Sequence, residues 1–114
     1  YRGRISGPLL DRIDLHVHVP RLPPSQLRPD AMPGEPTARV RERVLEARAR
    51  QLHRAGEVNA RVGAAALADA CRLAPADQDL LEQAVERLQL SARSMTRILR
   101  VARTSADLAG DAAI

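Results

Sequence analysis

The chain has 114 residues, 45% of them hydrophobic, and Tyr1 is its only Phe, Trp or Tyr. A core built from Leu, Val, Ile, Met and Ala favours packed helices over a sheet sandwich and limits the stability of so small a domain. All 18 basic residues are Arg, and the net charge of +4 is dispersed, with +2 in residues 1–34, +3 in residues 35–61 and −1 in residues 62–114. This excess is compatible with a phosphate-bearing partner but does not require one. No apolar run has the length of a membrane span and no signal peptide is visible, so we expect a cytoplasmic protein.

The N-terminal segment shows a strand-like alternation. Every second residue there is apolar: Ile13, Leu15, Val17, Val19. This period-two pattern is typical of a β-strand, but it has no partner strand, so we interpret it as the edge of a larger sheet. The chain begins without an initiator Met, and we therefore expect it to be a piece of a longer protein. His16 and His18 would share one strand face, but no third ligand type lies nearby, so no metal site is predicted.

Six of the eight prolines lie between Pro20 and Pro36. Because proline lacks the backbone N–H donor and has a fixed φ, this density predicts neither helix nor sheet but an extended linker. We expect residues 1–34 to be a largely unstructured remnant of another domain plus this linker. Residues 35–114 are then a small all-helical bundle of about four helices.

The first predicted helix runs from Pro36 to Ala55, with Gly56 as its C-cap. Its apolar sector contains Val40, Val44, Ala47, Leu52 and Ala55. Its cationic wall contains Arg39, Arg43, Arg50 and Arg54, with Glu46 one turn before Arg50. We interpret this wall as a solvated face, and a nucleic-acid surface is the second interpretation.

Two shorter helices are expected next. The first, from about Ala64 to Arg72, would bury Leu67 and Cys71, and the single cysteine is interpreted as a core residue in a reducing compartment. The second begins at Pro75, with acidic residues in its first turn, and continues to about Leu88. Its predicted buried residues are Leu80, Leu81, Ala84, Val85 and Leu88.

The last predicted helix has the clearest boundary signals, because Ser91 is a good N-cap and Gly110 a good C-cap. Its apolar positions follow helical spacing: Met95, Ile98, Leu99, Ala102, Ala106, Ala109. At about 100° per residue, Arg93, Arg97 and Arg100 lie within about 60° of one another on the opposite face. One helix therefore offers an apolar side to a core and a row of guanidinium groups to another partner.

Two segments resemble one family. SGPLLDRIDL, from Ser6 to Leu15, is similar to the end of the ATPase core in magnesium-chelatase-like AAA+ ATPases of the bacterial ComM/YifB type. Related ATPases have a similar segment whose arginine reaches the nucleotide of a neighbouring subunit. The resemblance therefore makes Arg12 the candidate arginine finger, a catalytic group that offsets charge on a transferring phosphate. From the residues alone, a surface pair of Arg12 with Asp11 or Asp14 remains open.

The second segment, LSARSMTRILRVARTSADLAG, resembles the final helices of the same ATPases. There, an arginine that follows a small residue at the helix start is the sensor-two residue of the lid and contacts nucleotide phosphate. This role carries over to Arg93, and less clearly to Arg97 and Arg100. The two signals occur in the expected order, and the resemblance covers nearly the whole chain.

The resemblance implies a lid of a ring-forming ATPase that acts as a DNA-remodelling or helicase-like motor. ATP with Mg²⁺ would be the cofactor of the parent protein, with neighbouring subunits and the rest of the ATPase core as partners and DNA as a candidate partner. The chain contains no Lys, so it has no phosphate-binding GxxxxGK[ST] loop. We therefore expect no ATPase activity and no tight nucleotide binding from this fragment alone.

Two alternatives remain open. Two helices joined by the short Gln89–Leu90 turn also fit a helix-turn-helix. Its DNA-facing residues would be Ser91, Arg93, Ser94 and Arg97. This interpretation gives the Ser6–Leu15 segment no role. The other alternative is a helical interaction bundle without a ligand.

Overall fold

The computed structural model describes residues 12–114, and every regular element in that range is helical. The four α-helices are α1 (Thr37–Ala55), α2 (Ala64–Ala70), α3 (Pro75–Leu88) and α4 (Ala92–Ala109). They confirm the predicted all-helical class and helix number. The one clear boundary difference is in α2, which ends before Cys71 and Arg72 because Cys71 leaves helical geometry at φ −118° and ψ 36°.

The helix ends follow the expected capping chemistry. At the start of α4 the Ser91 hydroxyl accepts a hydrogen bond from the Ser94 amide at 3.2 Å, which satisfies one unpaired donor of the first turn. Gly56 and Gly110 end α1 and α4 with φ of 69° and 88°, a conformation that costs glycine little. At the end of α3, Gln89 takes φ 50°, and the Leu90 amide donates to the carbonyl of Val85.

The residues before α1 match the expected largely unstructured segment in one respect and depart from it in another. The alternating residues 13–19 form no strand and are exposed, because no described strand lies beside them. The proline-rich segment does contain one helical turn, a 3₁₀ helix at Pro24–Leu27. Proline is tolerated at a first helical position, where its missing N–H is not needed, so proline density did not exclude this turn. Six residues of the predicted family segment, 6–11, lie outside the described residues.

The chain divides into two compact units, with the boundary between Glu42 and Arg43. Within the second unit, Arg43–Ile114, the apolar core is centred on Val62, Leu67 and Cys71. Leu99 of α4 and the terminal Ile114 pack against this centre. The Cys71 thiol lies 3.6 Å from the carbonyl oxygen of Leu99, and burial raises its pKa. The predicted core roles of Leu67 and Cys71 are confirmed.

The predicted apolar sector of α1 is only partly buried. Ala47 is buried, whereas Val40, Val44 and Leu52 of the same apolar sector are 39%, 41% and 52% exposed. No described residue of α1 before Ala47 is buried. Periodicity identifies the apolar side of a helix but not whether another element covers it.

The third and fourth helices show the same limit. In α3, Leu81 is buried, but Leu80 and Leu88 are 65% and 67% exposed, against prediction. In α4, Ala106 is buried while Ile98 is 39% exposed. None of the helices between residues 12 and 114 combines the length and apolar character that a membrane span needs.

Candidate arginine surface and its buried support

The start of α4 presents the two N-terminal members of the predicted arginine row. Arg93 lies in the first turn after the Ser91 cap and is exposed, while Arg97, one turn later, is half-buried. Within residues 12–114, Arg93 has no hydrogen-bond or ion-pair partner, whereas Arg97 is engaged in an interaction. The helical geometry keeps both residues on one face of α4. Arg93 is therefore the member of the row that is available to a ligand.

Arg100 continues the row, but its guanidinium contacts the protein itself. The segment Gly56–Gly63 connects α1 to α2, and we call it the α1–α2 loop. Nη1 of Arg100 donates to the carbonyl oxygens of Asn59 (3.1 Å) and Ala60, and Nη2 donates to that of Val62 at 2.9 Å. The half-buried Arg100 side chain thus holds this loop against α4.

Asp107, two turns beyond Arg100, is the centre of a buried polar network. Its exposed fraction is 0%, and both of its carboxylate oxygens accept hydrogen bonds from Arg54 of α1 at 2.8 Å. Oδ2 also accepts from Nδ2 of Asn59 at 2.8 Å, and Oδ1 lies 3.2 Å from Nη2 of Arg103. The two-pronged Arg54 contact is the strong form of a carboxylate–arginine pair.

Asn59 joins this network to the α1–α2 loop. Its side chain donates to Thr104 at 3.0 Å as well as to Asp107, and its Oδ1 accepts from Arg54 at 2.9 Å. The backbone N–H of Asn59 donates to Oε1 of the buried Gln51 at 3.1 Å. Since the backbone carbonyl oxygen of Asn59 accepts from Arg100, every polar group of Asn59 has a partner. Asn59 therefore connects α1, the loop and α4 through hydrogen bonds.

Arg103, which is 1% exposed, connects the same network to the residues after α4. Its Nη2 and Nη1 donate to the carbonyl oxygens of Asp111 and Ala112 at 2.6 and 2.8 Å. Its Nε has no hydrogen-bond partner among the described residues. Because a buried guanidinium is costly without an anion nearby, Asp107 is needed to keep Arg103 in this position.

The protonation of Asp107 follows from these contacts. Burial alone would raise its pKa, but hydrogen bonds from Arg54 and Asn59 and the nearby charge of Arg103 keep the pKa below its usual value of 3.8. The same hydrogen bond raises the pKa of Arg54. Both groups are therefore charged at neutral pH, and the network acts as a buried ion cluster.

The lowered pKa of Asp107 predicts a specific acid sensitivity. The charged Asp107 carboxylate contributes fully to stability above the pKa that Asp107 has in the unfolded chain, near 3.8. This contribution is lost as the pH falls through the lower pKa of Asp107 in the folded chain. We expect the melting temperature of the 114-residue chain to decrease on acidification. Asp107→Asn should have a lower melting temperature at neutral pH, but its melting temperature should decrease less on acidification. Parallel pH profiles for the two proteins would contradict this prediction.

The other predicted residues lie apart from this network in the sequence. Arg12 is exposed, in a turn of the first unit, and its predicted role as an arginine finger stays a prediction. His16 and His18 are both exposed. Between residues 12 and 114, no three His, Cys, Asp or Glu side chains come together in a group that could hold a metal ion.

The network does not follow from the sequence patterns, which indicate a different role for two of its arginines. Arg54 was assigned to a solvated wall, but its side chain is only 27% exposed and pairs with Asp107. Arg50, from the same wall, donates to the carbonyl oxygen of Asp107 at 2.8 Å and lies 3.6 Å from Glu46, as its spacing predicted. A usable signal was present, because Asp107 lies seven residues after Arg100 and so on the arginine face of α4.

Comparison with known proteins places this arrangement in a family. Residues 34–114 match the family model described as magnesium chelatase, subunit ChlI C-terminal, and residues 1–27 match the model for magnesium chelatase, subunit ChlI. Competence protein ComM of Haemophilus influenzae is 45% identical over 111 residues, covering 97% of this chain and 22% of that protein. The uncharacterized protein YifB of Escherichia coli is 42% identical over 108 residues, covering 95% of this chain and 21% of that protein.

A third relative, an uncharacterized protein of Mycobacterium tuberculosis, is 41% identical over 114 residues, 96% of this chain and 22% of its own length. The chain thus spans about a fifth of the length of these relatives. The range that matches the C-terminal family model, residues 34–114, includes all of α1 to α4 and therefore Arg93, Asn59 and Asp107. This chain therefore belongs to the magnesium chelatase ChlI C-terminal family and corresponds to the C-terminal region of ComM/YifB-type proteins.

Proposed function

We propose that the chain is the helical lid of a magnesium-chelatase-like AAA+ ATPase that assembles as a ring. In this proposal α4 brings Arg93 to the phosphates of a nucleotide held mainly by the rest of the protein. ATP with Mg²⁺ is the cofactor of that larger protein. The partners of the lid are the ATPase core and neighbouring subunits, and the motor acts on DNA.

The observation that carries the proposal is the contrast along the polar face of α4. Farther along the face, Arg100 and Asp107 are engaged with protein groups, whereas Arg93 at the capped end is exposed. An arginine is suited to a phosphate because its planar fork makes two parallel hydrogen bonds, and its charge offsets charge that develops during phosphoryl transfer. Arg97 is placed on the same face to support such a contact.

Arg12 has a separate role in the proposal. We assign it to the arginine finger that reaches the nucleotide of a neighbouring subunit, on the strength of its resemblance and of the family match over residues 1–27. The exposed position of Arg12 is compatible with this assignment. A finger of this kind offsets the charge that develops on the transferring phosphate in the transition state.

Duplex DNA distinguishes this function from the helix-turn-helix alternative. A lid should bind labelled duplex DNA weakly, without sequence preference, and with an affinity that collapses as salt rises, because only arginine–phosphate contacts contribute. Fluorescence anisotropy of the 114-residue chain with several duplexes across a salt series measures this. Sub-micromolar binding to one sequence at physiological salt would overturn the lid proposal in favour of the helix-turn-helix.

A further inference from the structure

Arg100 occupies an unusual position between the presented arginines and the buried network. Its two Nη atoms donate to three backbone carbonyl oxygens of the α1–α2 loop, those of Asn59, Ala60 and Val62. A phosphate that used this guanidinium in the usual two-pronged way would have to displace some of these contacts. The carbonyl oxygens of Asn59 and Val62, which lie in part-buried contacts, would then lose donors that water does not readily replace.

The same loop is fixed to α4 at two further positions. Thr104 accepts from Asn59 at 3.0 Å, and Asp107 accepts from Asn59 at 2.8 Å. Arg100, Thr104 and Asp107 are spaced i, i+4 and i+7, so they form one stripe along α4. A rotation of α4 by one residue, about 100°, would break all of these contacts together.

This stripe is the continuation of the face that carries Arg93 and Arg97. Arg93 lies seven residues before Arg100, about 10 Å along the helix axis and within about 20° in direction. Since Arg54 of α1 pairs with Asp107, the stripe also fixes α4 relative to α1. The contacts of Arg100 and Asn59 therefore hold α4 against the α1–α2 loop on the same helix face that carries Arg93.

We propose that Arg100 is a positioning residue of the lid and not a ligand of the nucleotide: by clamping the α1–α2 loop onto α4, it sets the orientation in which Arg93 is presented. The inference rests on the proposed function, because it assigns a role relative to nucleotide bound at Arg93. It predicts that Asn59, which is 4% exposed and cannot reach a ligand, shares the phenotype of Arg100.

The first arm of the test uses the 114-residue chain without nucleotide. Amide hydrogen exchange should be at least several-fold faster at residues 58–63 in Arg100→Ala and in Asn59→Ala than in the unchanged chain. Arg100→Lys should recover little of this protection, because one ammonium group does not reproduce the planar fork that reaches three carbonyls. Unchanged exchange in the loop of Arg100→Ala would overturn the clamp.

The second arm measures ATP hydrolysis by the full-length protein. Arg100→Ala and Asn59→Ala should both lower kcat about tenfold or more while the KM for ATP stays within about twofold, as expected when only transition-state interactions are lost. A large rise in KM for Arg100→Ala alone would make Arg100 a ligand and overturn the inference, as would an unchanged kcat in both variants. If Arg93→Ala has no effect on hydrolysis, the proposed function fails. The clamp is judged separately, because faster amide exchange in the α1–α2 loop of Arg100→Ala would still show that Arg100 holds this loop.

Discussion

Arg93→Ala in the full-length protein is expected to reduce ATP hydrolysis on the order of a thousandfold or more, with the fold intact. This loss corresponds to about 4 kcal/mol of transition-state stabilisation. The physical reason is the removal of a charged two-pronged donor from the transferring phosphate. Because Arg93 is exposed in the first turn of α4 and makes no pair within residues 12–114, its truncation opens no cavity and leaves no buried charge. Steady-state hydrolysis and thermal unfolding, measured on the same preparation, test both statements.

Three variants control this result. Arg93→Lys should restore little activity, because a point charge does not reproduce the planar fork. Arg97→Ala should cost less than Arg93→Ala, and Arg87→Ala, an exposed arginine on α3, should cost nothing measurable. Equal and small losses of ATP hydrolysis in Arg93→Ala and Arg97→Ala would mean that these arginines form an ordinary solvated face and do not contact nucleotide. Unfolding of Arg93→Ala would show that its position relative to the core is wrong.

Asp107→Ala is expected to destabilise the 114-residue chain by about 3–5 kcal/mol, because it removes the anion from a buried ion cluster. Arg103, 1% exposed, would then remain as a buried cation without its carboxylate, and Arg54 would lose both of its hydrogen bonds to Asp107. Such a loss is a large fraction of the 5–15 kcal/mol that holds a typical domain together. Urea unfolding followed by far-ultraviolet circular dichroism measures it.

Asp69→Ala is the matched control for this substitution. Asp69 also pairs with an arginine, Arg72 at 3.1 Å, but their side chains are 76% and 83% exposed. Exposed pairs contribute about 0–1 kcal/mol, so the control should unfold at nearly the urea concentration of the unchanged chain. Similar losses in Asp107→Ala and Asp69→Ala would mean that the buried network contributes no more than a surface pair.

Local sequence signals were sufficient for the helices. Pro36 and Gly56 bracket α1, and Ser91 and Gly110 bracket α4, because each of these residues favours or stops helical backbone geometry through its own chemistry. Such signals act over one or two turns, so a single sequence contains them. The alternating residues 13–19 form no strand, as expected of a segment without a partner, since a strand needs a neighbour that the sequence of that segment does not supply.

Burial was predicted less well, because it depends on what lies across from each helix. Val44 and Leu80 occupy apolar positions with helical spacing and are nevertheless exposed, whereas Gln51 and Asn59 are polar and buried. The hydrogen bonds that bury Asn59 reach Thr104 and Asp107, which are 45 and 48 residues away along the chain. Periodicity has no information on contacts at that separation.

The candidate site was predicted in part for the same reason. The shared face of Arg93, Arg97 and Arg100 follows from helical geometry alone, and α4 contains all three. The division of that face into a presented end and a buried end could not be predicted, because it depends on the loop carbonyls that Arg100 reaches and on Arg54 from α1. An aspartate among arginines on one helix face, as at Asp107, is the sequence signal that predicts an ion pair.

Amide hydrogen exchange of the full-length protein, with and without a saturating non-hydrolysable ATP analogue, tests the central claim most directly. The claim is that the start of α4 contacts the nucleotide through Arg93. We predict that nucleotide slows exchange of amides in the first two turns of α4, by immobilising Arg93 and reducing fraying at that end. Exchange in α3 (Pro75–Leu88) should change little and serves as the internal reference. Identical exchange in α4 with and without bound nucleotide would contradict the account.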